Sequence, residues 1–144
     1  MPRSLTIAVV LLATTLHCVA EKETVQQLEA RAEAARPEDR AALYVEIAER
    51  QLKAVTGFFG EGHDEDALTA VKDVVTYSER AHDAAIESHN RLKGTEIAIR
   101  KMAAKLRDIM RTLSFEDQPT VQAAADRLEA LRTDLLSKMF GKGK

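Results

Sequence analysis

A register of seven runs without interruption through Val71, Ser78, Ala85, Leu92, Ile99, Leu106 and Leu113. The half-steps hold Val74/Val75, Ala81/His82, Ser88/His89, Thr95/Glu96, Met102/Ala103 and Ile109/Met110. A seam that repeats every 3.5 residues or so is what a helix needs to keep one face against partner helices. The pattern passes Gly94 without losing phase, since Leu92 and Ile99 stay in register. Glycine in a helix interior costs about 1 kcal/mol against alanine, so a break there would normally reset the pattern. The register therefore predicts one helix over 65–113, about 70 Å long and bent at most near Gly94. Two helices meeting near 90–95 are the alternative.

Shorter helices flank this seam. Residues 21–35 carry a thin apolar stripe of Val25, Leu28 and Ala32, which fits a docked helix or a frayed arm. Arg36-Pro37 interrupts it, because proline disfavours helical geometry in the residue before it and suits the first turn of the next helix. Leu43, Tyr44, Ile47, Ala48, Leu52 and Val55 form one broad face of a second helix. The glycine-rich stretch 56–63 (TGFFGEGH) reads as a loop whose Phe58 and Phe59 fold back on the core. Asp64 is expected to cap the long helix, with Glu65 and Asp66 in its first turn. After a turn at 114–118, Pro119 opens a last helix carrying Val121, Ala125, Leu128, Leu131, Leu135 and Met139.

Short connections favour antiparallel neighbours. The expected fold is thus all-α: an elongated antiparallel helical bundle built around one long helix, with a small core at each end. Residues 78–91 form its thin middle, where a partner or ligand would fit. The expected divisions are a signal peptide at 1–20, an N-terminal helix or arm at 21–36, the bundle at 37–140 and a mobile basic tail at 141–144.

The signal peptide rests on Arg3, the charge-free run Leu5–Leu16 and small residues at Cys18 and Ala20. The apolar run is shorter than the roughly 20 residues that cross a bilayer. Cleavage after Ala20 leaves 124 of the 144 residues, with no cysteine and no membrane-spanning segment. The expected setting is secreted or periplasmic. Lipidation at Cys18 is the weaker reading, because His17 stands where such sites want a small residue.

Without the leader, 20 basic side chains face 23 acidic ones, too balanced to point to nucleic acid. Aromatic residues are only 4% of the chain, which leaves little surface of the kind that binds sugars or nucleotides. Nucleophile signatures, phosphate-cradling glycine loops and paired catalytic carboxylates are absent, so no enzyme activity and no cofactor are expected. Glu79 and His82 share the Glu-x-x-His spacing of helical metal ligands, with His89 two turns on. A helical bundle holding a metal or small ligand there is the alternative function. A half-buried histidine in a small-residue seam explains the same residues. Met102 and Met110 could be drawn as haem ligands, but at seam positions they read as core filler. The acidic stretch 61–66 lacks the ligand pattern of a calcium loop.

Charge is split along the seam. Residues 61–90 hold eight acidic and two basic side chains, whereas 91–113 hold seven basic and two acidic ones. The helix dipole acts only on terminal turns and does not account for whole halves. A protein partner of reversed charge does, most simply a second copy in an antiparallel homodimer. Arg100, Lys101, Lys105, Arg107 and Arg111 are the candidate contact surface. In their helix-packing residues, Leu43-Tyr44, Ile47-Ala48 and the segment from Ala67-Leu68 to Tyr77 resemble a tetratricopeptide hairpin. The 34-residue repeat of that family is missing, so no binding residue is carried over. The function expected is protein–protein interaction or a structural role.

Overall fold

The computed structural model describes residues 23–141, and these are all-α. The helices are α1 (Val25–Ala34), α2 (Pro37–Glu61), α3 (Asp64–Ser88), α4 (Leu92–Met110) and α5 (Gln118–Phe140). The signal peptide at 1–20, the cut after Ala20, Cys18 and residues 142–144 lie outside the described residues.

Local chemistry explains most boundaries. Thr24 and Gln27 close a capping box at the start of α1, with bonds of 3.2 and 2.8 Å. Ala35 and Arg36 are extended ahead of Pro37, which ends α1 and starts α2. At 56–63 the loop expectation fails. The helix α2 runs on through Gly57 and Gly60 to Glu61, because Phe58 and Phe59 continue the apolar face begun by Leu52 and Val55. Glycine permits a break without imposing one. The stop comes at Gly62, whose left-handed φ of 78° a side chain would resist. His63 takes the N-cap position of α3, and Asp64 joins Glu65 and Asp66 in the first turn.

The single long helix is also corrected. The chain turns at His89 and Arg91, both left-handed with φ of 51° and 61°, and Gly94 lies inside the first turn of α4. Ser88, His89 and Asn90 signal the stop. The Asn90 amide donates to Ser88 Oγ (3.3 Å) and the Arg91 amide donates to Asn90 Oδ1 (2.8 Å), which competes with helical pairing. The register of seven survives because α3 and α4 both face one interior.

That interior is shared by all four long helices and replaces the two end cores expected. The helices α2 and α3 pair as one hairpin, α4 and α5 as another, and the hairpins stack with α2 along α4 and α3 along α5. Polar contacts mark the second alignment: Glu79 pairs with Arg127 at 2.7 Å, and His82 Nε2 lies 2.9 Å from Asp134 Oδ2. The stacked helices also bury matching positions. Val71, Val74, Ser78, Ala81 and Ala85 of α3 recur fifty residues later as Val121, Ala124, Leu128, Leu131 and Leu135.

The thin middle of α3 has an occupant within the chain. Helix α1 lays Leu28 and Ala32 against Tyr44, Ile47 and Ala81, all buried. Arg40 donates to the Ala32 and Ala35 carbonyls (3.1 and 3.0 Å), closing the C-terminal end of α1. Arg80 bonds Glu29 and lies 5.8 and 5.2 Å from the ring centres of Tyr44 and Tyr77. Hydrogen bonding to Glu29 raises the Arg80 pKa, and burial raises that of Tyr77. The N-terminal segment is thus a docked helix from Val25 onward.

Candidate interaction surface

The five basic side chains singled out in sequence do not form one surface. Spacings of seven and four put Arg100, Arg107 and Arg111 on the edge of α4 nearer α5, and Lys101 and Lys105 on the edge nearer α2. Most of the arginine edge is spent internally. Arg107 pairs with Glu129 (3.2 Å), Arg111 with Asp108 (2.9 Å), and Arg100 stands 3.9 Å from Glu96.

Glu96, only 7% exposed, is the centre of a charge ladder that sequence reading missed. Arg132 of α5 donates to it at 2.8 Å and reaches Glu129 at 3.3 Å. Hydrogen bonds to Glu96 and then Glu129 raise the Arg132 pKa. A carboxylate in an apolar seam requires such a partner, because an unpaired buried charge is costly. Glu96 at a seam position was the available signal. Its partner lies on another helix 36 residues away and could not be read from local spacing. The ladder ties α4 to α5 and has no open ligand position.

The lysine edge is different. Among the described residues Lys101 and Lys105 make no ion pair, and neither does Lys53 across on α2. Between α2 and α4 runs a shallow groove of three hollows. One of about 490 Å³ is lined by Glu49, Leu52, Lys53, Thr56, Gly57 and Lys105. The next, about 260 Å³, lies between Thr56, Phe59, Gly60 and Ile109. The last, about 180 Å³, lies between Ala42, Val45, Arg91, Gly94 and Thr95. An open hollow of about 590 Å³ between α3 and α5 has Val71, Val75, Pro119 and Ala123 in its lining, with Lys72 and Arg127 beside them.

The metal-like residues are dispersed. Glu79 is engaged by Arg127, His82 lies between Asp83 (2.8 Å) and Asp134 (2.9 Å), and His89 is in the turn after α3. No group of three or more histidine, cysteine or acidic residues converges on a metal position among the described residues. Met102 is buried in the core and Met110 packs against it. No helix among the described residues is long and apolar enough to cross a membrane. Comparison with known protein families, characterised proteins and solved structures gave no match, so the reading of this surface rests on its own geometry.

Proposed function

We propose that this chain is a non-catalytic helical protein of the secreted or periplasmic space that acts by protein–protein contact. The observation that carries the reading is the contrast between the two edges of α4. The arginines are engaged with carboxylates of the same chain, while Lys53 and Lys105 line one groove and Lys101 stands one turn before Lys105 on the same edge, all three without an ion pair among the described residues. Lysines without partners keep a groove hydrated and give an acidic partner long-range attraction, which falls as salt screens it. A structural role and a binding role both use this surface.

The test is affinity capture from the native envelope fraction with wild type and with Lys53→Glu/Lys101→Glu/Lys105→Glu. Both proteins should show the same helicity by circular dichroism. Wild type should retain proteins that the reversed variant loses at low salt. Equal retention by both would discard the groove as the contact surface.

A further inference from the structure

Three glycines lie inside helices where the fold has no use for them. At Gly57 and Gly60 of α2 and Gly94 of α4, an added Cβ would meet nothing within 4 Å among the described residues, and none of the three has a left-handed φ. Glycine is the poorest helix former after proline, so each weakens its helix without return inside the chain. All three line the α2/α4 groove, one in each hollow. Missing side chains in a row let another backbone approach closely.

The groove also carries chemistry. Thr95, only 2% exposed, lines the hollow beside Gly94. Lys53, Arg91, Lys101 and Lys105 edge the groove without acidic partners among the described residues, against Glu49 in the lining and Asp108 on the same edge of α4, which is engaged by Arg111. An occupant of this groove should be a helix that presents carboxylates and small side chains.

The chain itself contains such a helix. On α3, Glu65, Thr69, Asp73, Thr76, Asp83 and Glu87 recur at helical spacing on the side away from the core, and all but half-buried Asp73 are exposed. Threonines separate the acids; of the two cations at the same spacing, Arg80 is held by Glu29, and Lys72 is exposed at the edge of the stripe toward α5. The helix has 25 residues, and the groove spans Ala42 to Gly60, about 27 Å at the rise of an α-helix. Length, charge and side-chain size agree.

We propose that the α2/α4 groove receives the acidic outer face of α3 from a second copy of this chain. The groove and the acidic stripe lie on opposite sides of the bundle, because α3 stacks on α5 while α2 stacks on α4. The contact is therefore heterologous, and copies associate head to tail. Groove against groove would place lysines against lysines. The inference rests on the reading of the lysine edge as a contact surface and assigns its partner.

Sedimentation velocity on the purified untagged protein tests it. At low salt the average mass should rise with concentration, and it should return to that of the monomer as salt screens the charges. Gly57→Leu/Gly94→Leu should stay monomeric at every concentration while its melting temperature equals or exceeds that of wild type. A second pair covers the case in which that variant fails to fold. Lys53→Glu/Lys101→Glu/Lys105→Glu and Glu65→Lys/Asp73→Lys/Glu87→Lys should each be monomeric alone and associate when mixed. A wild type that stays monomeric throughout, or a mixture that does not associate, overturns the proposal. Should that monomeric chain still capture envelope proteins through its lysines, the proposed function stands and only the second copy is lost.

Discussion

The hairpins α2/α3 and α4/α5 bury corresponding positions and fill them differently. Where α3 has Ser78, Ala81 and Ala85, α5 has Leu128, Leu131 and Leu135. Small side chains bring α3 close to its neighbours but remove little apolar surface from water, and the hairpin recruits α1 with Leu28, Tyr44 and the Arg80 cluster as cover. The leucine hairpin needs no cover. Its helices are joined by apolar burial and by the Arg107–Glu129–Arg132–Glu96 ladder. One architecture is thus held in two ways, and only the first depends on a segment outside the four-helix core.

The largest expected effect falls on the leucine hairpin. Leu128 is fully buried in the interior shared by both hairpins. Leu128→Ala removes its transfer energy and leaves a cavity that the packed helices fill only in part, for a loss of about 3 kcal/mol. Chemical denaturation should show a lower midpoint with one transition, because both hairpins use that interior. Two separate transitions would mean that the hairpins are independent units, and the comparison would need redrawing.

A smaller effect should appear on the covered hairpin, and only at alkaline pH. Burial, with help from the Glu29 carboxylate, holds the Tyr77 proton to a higher pH in the folded protein than in the unfolded chain, where it is lost near pH 10 or so. Arg80 opposes this shift and Asp73 adds to it. The folded state binds the extra proton above that pH, so the contribution is complete below about pH 10 and lost as pH rises beyond it. Melting curves from neutral to alkaline pH should fall more steeply for wild type than for Tyr77→Phe. Parallel curves would show that the α1 cover does not depend on that phenol.

These differences were only partly legible in the sequence. The seam identified the helical faces, and Pro37 and Pro119 marked two helix starts, because both signals are local. The glycines of 56–63 suggest an end for α2 that comes too early, and the unbroken register suggests no end for α3 at all. Gly57, Gly60 and Gly94 are helical, while His89 and Arg91 take the left-handed turn. Helix ends here are set by backbone-binding polar side chains and by where apolar burial stops. Neither the Glu96–Arg132 pair nor the division of the basic residues into two edges could be read locally, since both depend on which helices become neighbours.

The smallest effect tests whether the small residues of α3 are chosen for closeness or for chemistry. Ser78 is fully buried, and its Oγ has no hydrogen-bond partner among the described residues. A buried hydroxyl left unpaired costs about 1–3 kcal/mol, while alanine fits the space and is the better helix former by roughly 0.5 kcal/mol. The lost contacts of one oxygen offset part of that gain. Ser78→Ala should therefore stabilise the fold by about 1 kcal/mol, read as a higher denaturant midpoint with an unchanged slope. The corresponding position holds Leu128, where the same alanine is strongly destabilising, so the two substitutions should move stability in opposite directions. If Ser78→Ala destabilises instead, its hydroxyl has a partner such as bound water, and the first hairpin uses its middle for polar chemistry that alanine cannot replace.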